Sequence, residues 1–307
     1  MLNPYFNQTF LGFFVQLSKR CLHMFSGGFA PDEVQVIVLI LIALSSALNG
    51  TFLVLRKMTM LANSLSHTIL LGVILAFFLV GKGRDIFSLS LPILLVSSLI
   101  AALCTTFATE FLTRRLQLQE DASIGMIFSA FFALGVVLVT LFSRNNHLGI
   151  EAIMGNVDAL HPSDIKLVFY LFLFNASVTF LFYRRLEIAT FDATLAQNMG
   201  ISLLFFNCLM MMQTALTAIG AFRAVGAFLF LSFLVAPILT ARFFTCRLKP
   251  LLFLSSAVGV ITAILSVALS RHMLTSYHIC LSTSGLSSVI LGVFFLIGLS
   301  HRRRKLG

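Results

Sequence analysis

Residues Val34 to Leu55 read Val-Gln-Val-Ile-Val-Leu-Ile-Leu-Ile-Ala-Leu-Ser-Ser-Ala-Leu-Asn-Gly-Thr-Phe-Leu-Val-Leu and contain no charged side chain. An apolar run of about 20 residues is long enough to cross the roughly 30 Å hydrocarbon core of a bilayer as an α-helix. The basic pair Arg56 and Lys57 follows directly and ends the run. This stretch therefore predicts a transmembrane helix whose C-terminal end lies at a membrane surface.

Similar apolar stretches, separated by short polar loops, fill the rest of the chain. After Val34–Leu55 the predicted spans are Leu65–Val80, Phe87–Leu112, Ala122–Phe142, Ile165–Tyr183, Leu203–Phe222, Val225–Phe243, Leu251–Ser270 and Leu281–Leu299. Leu65–Val80 is short for a full crossing, so the count is eight or nine. Continuous runs of this length favour helices over the alternating strands of about ten residues found in membrane barrels. The predicted fold class is an all-α, polytopic transmembrane helical bundle.

Composition excludes most other classes of protein. Of the 307 residues, 59% are hydrophobic and 10% are charged, which does not fit a soluble domain. The net charge of +10 comes from basic residues at span ends rather than on one face, which argues against nucleic-acid binding. The sequence has no P-loop, no HExxH and no GxSxG motif, so we expect a non-enzymatic chain without a permanently bound cofactor. Any ATP hydrolysis would belong to a separate subunit.

The basic residues concentrate on alternate loops, which predicts the orientation of the chain. If Arg56 and Lys57 are cytoplasmic, alternation places most of the 21 Lys and Arg on that side, including Arg114, Arg115, Arg184, Arg185, Arg242, Arg247, Lys249 and 302–305. The N-terminus is then periplasmic and the C-terminus cytoplasmic. We divide the chain into an interfacial segment at 1–33, a transmembrane domain at 34–299 and a basic cytoplasmic tail at 300–307.

Polar residues inside the apolar sequence are the candidate functional groups. The densest set is Asn63, Ser64, Ser66 and His67, within the second predicted span. In a helix, Asn63 and His67 share one face at i, i+4, and Ser64 neighbours His67 at i, i+3. Imidazole and oxygen ligands suit a divalent first-row metal ion. A hydrogen bond from His67 to a neighbouring helix would explain the same residue without a metal.

Two further features of the sequence each allow a functional and a structural interpretation. Glu120 and Asp121 open the fourth span, where carboxylates stabilise the positive end of a helix dipole, but they would also suit a gate or an exit path. Pro237 lies inside the seventh span and predicts a kink. Such breaks border permeation paths in some transporters, and they also serve packing alone.

Four blocks of the sequence resemble the metal-type ABC transporter permeases, the membrane subunits of bacterial zinc, manganese and iron importers. The blocks are Gly50–Met58 with Leu61–Gly72, Glu120–Gly135 with its Glu-Asp-Ala-Ser-Ile-Gly start, Phe191–Ile201, and Val225–Ala241. They occur in the family's order and extend over most of Gly50 to Leu299. The resemblance implies a permease in the bacterial inner membrane that transports a divalent metal ion as its substrate.

The resemblance also implies partners. These are a cytoplasmic ATP-binding subunit, a periplasmic metal-binding protein and a second permease subunit, within the lipid of the membrane. The connection that includes Phe191, Asp192, Ala196 and Gly200 resembles the coupling helix that transmits ATPase closure to the spans. An ordinary amphipathic surface loop would be the alternative.

One position departs from the family's pattern. Ala62-Asn63 stands where the family usually has Gly-Asp, so a neutral amide replaces a carboxylate. Either the ion is held more weakly, or a sister subunit in a heterodimer supplies the missing carboxylate. A permease for a metal chelate, such as haem, a siderophore or cobalamin, and a secondary metal transporter or channel are the alternative functions. The sequence does not select among zinc, manganese and iron.

Overall fold

The computed structural model describes Tyr5, 10–22, 29–60, Ser64, Thr68, 71–72, 91–142, Val157 and 160–306. Within these ranges the chain forms α-helices and no strand. The helices are α1 (Phe10–Leu22), α2 (Pro31–Leu55), α3 (Leu91–Arg115), α4 (Glu120–Phe142), α5 (Pro162–Phe191), α6 (Ala193–Asn198), α7 (Leu203–Val225), α8 (Ala227–Arg242), α9 (Leu248–Tyr277) and α10 (Thr283–Leu306).

The predicted helical membrane fold is confirmed. In the described part of the chain, helices long and apolar enough to cross a membrane are Pro31–Leu55, Pro162–Phe191, Leu203–Phe222, Leu248–Tyr277 and Thr283–Arg302. Shorter apolar helical stretches are Leu99–Thr113, Ala122–Leu138 and Ala227–Arg242. Every predicted span except Leu65–Val80, most of which is outside the described residues, coincides with a helix. The chain is therefore a multi-pass membrane protein.

The chain divides into two compact units. Unit 1 comprises Met1–Thr51, Met154–Ala176 and Ala221–Gly307, and unit 2 comprises Phe52–Ile153 and Ser177–Gly220. In unit 1, α8, α9 and α10 pack against one another, and α1 packs against α9. In unit 2, α3 packs against α4. The three-part division at 1–33, 34–299 and 300–307 remains a prediction from sequence.

Small residues allow the helices of unit 1 to approach closely. A Cβ atom at Gly50 of α2 would lie 2.2 Å from the carbonyl oxygen of Leu234 on α8. A Cβ at Gly259 of α9 would lie 3.1 Å from the Cβ of Ala43 on α2. In lipid, helices associate through such backbone contacts, because apolar side chains gain nothing by leaving the hydrocarbon. Gly50 and Gly259 thus fix how α2 packs on its neighbours.

Hydroxyl groups in the helices are satisfied mainly by their own backbone. The Oγ1 of Thr51 donates to the carbonyl of Ala47 at 2.7 Å, and that of Thr105 donates to Ala101 at 2.8 Å. The Oγ1 of Thr214 makes the same bond to Met210 at 2.7 Å. A bond to the carbonyl four residues earlier removes the cost of placing a hydroxyl in a medium without water.

Two buried carboxylates join the N-terminal end of α2 to α1 and α9. Asp32 and Glu33 are almost inaccessible to solvent, and they form ion pairs with Arg271 of α9 and Arg20 of α1, respectively. The Nε of Arg271 donates to Asp32 Oδ1 at 2.7 Å, and the Tyr5 hydroxyl donates to Glu33 Oε1 at 2.8 Å. Burial, and then this hydrogen bond, raise the pKa of Tyr5 above its ordinary value.

The same carboxylates start α2. Pro31 occupies the first helical position, and Glu33 Oε2 accepts a hydrogen bond from the backbone N–H of Ala30 at 2.9 Å. This bond is half of a capping box, and both acids lie where the helix dipole favours negative charge. Phe13 of α1 is buried beside Tyr5, with ring centroids 5.1 Å apart. The face of α1 that carries Phe13 therefore packs on protein, whereas Leu11 and Val15 are exposed.

We predict that Gly50→Ala destabilises the protein by about 1–3 kcal/mol, because the new methyl group meets backbone rather than a movable side chain. The measurement is the thermal unfolding temperature of the chain in detergent. Gly292→Ala in α10 is the matched control, since nothing lies within 4 Å of its Cβ position. Equal unfolding temperatures for the two variants would contradict the close contact at Gly50.

We predict that Asp32→Asn lowers the free energy of unfolding by about 2–3 kcal/mol, because it leaves Arg271 without its anionic partner. In the double variant Asp32→Asn with Arg271→Gln, the free energy of unfolding should fall by less than the sum of the decreases in the two single variants. Lys166→Gln, at an exposed cation of α5, should change stability little. Additive losses at Asp32 and Arg271 would show that the ion pair is not a stabilising contact.

Candidate transport site and coupling segment

The structure locates one of the four predicted metal ligands. Ser64 is helical and 3% exposed, and its hydroxyl has no hydrogen-bond partner among the described residues. Its backbone carbonyl accepts a bond from Thr68 Oγ1 at 3.1 Å. Asn63, Ser66 and His67 lie outside the described residues. A buried hydroxyl without a partner is costly in protein, and it leaves two lone pairs and a proton open to a ligand.

The segment that contains Ser64 continues to a contact with α4. A Cβ at Gly135 would lie 3.6 Å from both the Cα and the N of Leu71, which is itself buried. Gly135 is the last residue of the block that begins at Glu120. The two blocks of sequence before and after α3 thus touch within unit 2.

Glu120 and Asp121 occupy the first turn of α4, as the sequence predicts, and their side chains lie outside the described residues. The turn is closed by Ser123, whose backbone N–H and hydroxyl both bond to the carbonyl of Gln119, at 3.0 and 3.1 Å. This position is the one that helix capping requires. A role in a gate remains a prediction.

Pro237 lies in the packed interior of unit 1. It is buried within α8, and its neighbour Ile238 would be 2.7 Å from a Cβ at Gly50. Proline has no N–H, so the carbonyl of Phe233, four residues earlier, receives no helical bond from it. Three residues after Pro237, the Oγ1 of Thr240 donates to the carbonyl of Ala236 at 2.8 Å. Packing accounts for the burial of Pro237, and its part in a permeation path remains a prediction.

The predicted coupling residues form a short helix that is capped at its start. Asp192 is the N-cap of α6, and its Oδ1 accepts bonds from Leu195 N at 2.9 Å, Thr194 N at 3.0 Å and Thr194 Oγ1 at 2.6 Å. The bond from Leu195 and then the Thr194 hydroxyl lower the pKa of Asp192 below its ordinary value. The carboxylate therefore stabilises the cap at neutral pH and loses that effect as acid protonates it.

Gly200 closes the other end of α6. Its φ angle is +74°, a left-handed conformation that glycine adopts without strain. Gly200 N donates to Gln197 O at 3.0 Å, and Ile201 N donates to Ala196 O at 2.9 Å. These two bonds are the pair that defines a Schellman cap. Ala196 is fully buried, so α6 is fixed at both ends and on one side.

Apart from Ala196, the residues from Phe191 to Gly200 are exposed, and three of them are large and apolar. Phe191, Leu195 and Met199 follow at intervals of four residues and are 59%, 47% and 60% exposed. A shallow cleft of about 310 Å³ lies at the end of α6, lined by Gln197, Gly200, Ile201, Ser202, Leu203 and Leu204. Sequence reasoning selected Phe191 but missed Leu195 and Met199. The spacing of Leu195 and Met199 at i, i+4 was the signal that could have identified them.

Sequence reasoning also missed a contact of Arg56. Its Nη1 donates to Oδ1 of Asn207, near the start of α7 in unit 2. From the sequence alone, we used Arg56 only to predict the orientation of the chain in the membrane. In the part of the chain that the structure describes, no three His, Cys, Asp or Glu side chains come together in a group that could hold a metal ion.

Comparison with known proteins places this architecture in a family. Residues 34–302 match the ABC 3 transport family. A "probable metal transport system membrane protein" of Chlamydia pneumoniae is 34% identical over 300 residues, which cover 96% of this chain and 91% of that protein. A manganese transport system membrane protein of Bacillus subtilis is 33% identical over 279 residues, covering 83% of this chain and 91% of that protein.

A solved structure agrees with the fold. PsaBC from Streptococcus pneumoniae, solved in complex with Fab, superposes with a TM-score of 0.73 at 25% sequence identity. The match covers 93% of this chain and 94% of that one. The family match extends from the start of α2 almost to the end of α10. The chain therefore belongs to the ABC 3 transport family.

Proposed function

We propose that this chain is the membrane-spanning permease subunit of an ATP-driven importer of divalent transition-metal ions. The observation that carries the proposal is its similarity, over nearly its whole length, to proteins named for metal and manganese transport. The sequence contains no P-loop, so a separate chain would hydrolyse the ATP. A periplasmic binding protein would deliver the ion to the bacterial inner membrane.

The segment around α6 is the docking site that we assign to the ATPase. Phe191, Leu195 and Met199 offer an exposed apolar face of the kind that seats in a groove of a partner protein. The caps at Asp192 and Gly200 make α6 a rigid unit with short connections to α5 and α7. A displacement of α6 would therefore pass into both long helices as a rigid-body movement.

The segment from Asn63 to His67 is the site that we assign to the ion. The buried hydroxyl of Ser64, which has no partner among the described residues, supports this assignment, because polar groups at membrane depth often line a substrate pathway. With Asn63 in place of a carboxylate, one subunit would hold the ion weakly. A weak site suits transport, since an ion that binds too tightly is not released.

A second permease subunit would complete this site. The pair would be either two copies of this chain or this chain with a sister subunit whose carboxylate compensates for Asn63. The charge pattern places the N-terminus in the periplasm and the C-terminus in the cytoplasm. The ATPase would then meet α6 on the cytoplasmic side.

We predict that Leu195→Glu together with Met199→Glu abolishes assembly with the ATPase and leaves the thermal stability of the isolated permease unchanged. Both side chains are exposed, so the substitution adds charge to the docking face without disturbing a core. Co-purification of the ATPase measures the effect. Ala193→Glu, which adds a charge to an exposed position on another side of α6, should retain the ATPase. Loss of assembly in both variants, or in neither, would contradict docking through this face.

We predict that His67→Ala lowers ATP-dependent metal uptake into proteoliposomes by about tenfold or more, with ATPase assembly intact. Ser64→Ala should lower uptake in the same direction. Thr68→Val is the matched control, because the Thr68 hydroxyl is already bonded to the backbone of its own helix. Normal uptake by His67→Ala would show that the imidazole supports packing and not the ion.

A further inference from the structure

An exposed group of cations lies where α8 ends and α9 begins. Arg242 is the last residue of α8, Arg247 is the N-cap of α9 and Lys249 stands in its first turn. All three are exposed. From Ala193 to Gly307 the sequence contains no Asp or Glu, so these cations have no acidic neighbour along this part of the chain.

The C-terminal end of α10 adds its own cations to this group. Gly298 makes the approach possible, since a Cβ there would lie 2.8 Å from the ring of Phe243. One turn later the Arg302 guanidinium stands over that ring, 5.9 Å from its centroid, and His301 stacks on Phe244 at 5.5 Å. Cation–π attraction and stacking hold the two ends together. We name Arg242, Arg247, Lys249, His301 and Arg302 the basic surface.

The described carboxylates of unit 1 are engaged elsewhere. Asp32 pairs with Arg271, 22 residues after Lys249 on α9 and therefore about 33 Å away along the helix. Glu33 pairs with Arg20, and Asp164 accepts a bond from the backbone N–H of His161 at 3.0 Å. The basic surface thus concentrates like charge that a ligand from outside the chain would stabilise.

The position of the basic surface at the end of a membrane span indicates the chemical class of its ligand. The apolar run of α10 ends at Leu299, and His301 to Lys305 follow after one further residue, so Arg302 belongs to a basic stretch at the end of a span, where hydrocarbon gives way to lipid headgroups. Phe244 and Ile297 are exposed beside it. The sequence continues with Arg303, Arg304 and Lys305 in the last turns of α10. A cluster of four or more Lys and Arg next to a span attracts anionic lipid, and guanidinium groups match phosphate oxygens in geometry.

We propose that the basic surface binds the phosphate groups of anionic phospholipids and thereby anchors the ends of α8, α9 and α10 at the membrane surface. The proposal rests on the membrane-spanning fold and not on which metal the protein transports. It also does not depend on the absolute orientation of the chain, because it requires only that this end of unit 1 lies at headgroup depth.

The test is a lipid titration of the full-length chain in detergent, followed by thermal unfolding. Short-chain phosphatidylglycerol is the probe, with phosphatidylcholine and inorganic phosphate as separate arms. Stabilisation by phosphatidylglycerol alone is expected for the intact protein. The variant Lys249→Gln with Arg302→Gln should bind the anionic lipid about tenfold more weakly or worse. Lys19→Gln with Lys166→Gln removes two exposed cations elsewhere and should bind phosphatidylglycerol as the intact protein does.

Further outcomes decide the proposal. Lys249→Arg with Arg302→Lys keeps the charge and should keep the binding, which separates loss of a ligand from loss of folding. Unchanged binding by Lys249→Gln with Arg302→Gln would overturn the proposal, and so would equal stabilisation by inorganic phosphate. If Lys249→Gln with Arg302→Gln bound phosphatidylglycerol normally but failed to assemble with the ATPase, that result would also overturn the proposal. The basic surface would then be a contact with a protein.

Discussion

The absence of hydrogen-bond partners in hydrocarbon is the constraint on which this structure depends. Each backbone N–H and C=O within the bilayer must be satisfied inside its own helix, and a hydroxyl gains most by bonding to the preceding turn. The threonines of α3 and α7 follow this rule throughout. Against that background, the few buried hydroxyls without a partner among the described residues stand out, and they include Ser45, Ser46 and Ser64. Ser64 is the one that also belongs to the predicted ion site.

With the backbone and most hydroxyl hydrogen bonds confined within helices, contacts between helices depend largely on shape and on charge at the helix ends. Gly50 and Gly259 bring backbones together in the interior of unit 1. At one end of that unit, Asp32 and Glu33 pair with Arg271 and Arg20, whereas the sequence around the end of α8, from Ala193 onward, contains cations and no Asp or Glu. At one end the protein itself neutralises the buried carboxylates, and at the other we propose that anionic lipid supplies the opposite charge.

The spans could be predicted from the sequence because burial in lipid leaves a strong local signal. Val34–Leu55 became α2 with only its start moved back to Pro31, and Phe191 to Gly200 became a capped segment. The ion pairs could not be predicted in this way, because Asp32 and Arg271 are 239 residues apart and no local pattern connects them. Of the ion site, only Ser64 falls within the described residues, so Asn63, Ser66 and His67 remain predictions.

We infer that this permease transports a metal ion itself and requires ATP to do so. Proteoliposomes that contain the chain with its ATPase and binding protein test it most directly, by comparing the uptake of Mn²⁺, Zn²⁺ and Fe²⁺ with that of haem and a ferric siderophore. We expect ATP-dependent accumulation of at least one free divalent ion and of none of the chelates. Accumulation of a chelate alone, or uptake of the ion that continues without ATP, would contradict it.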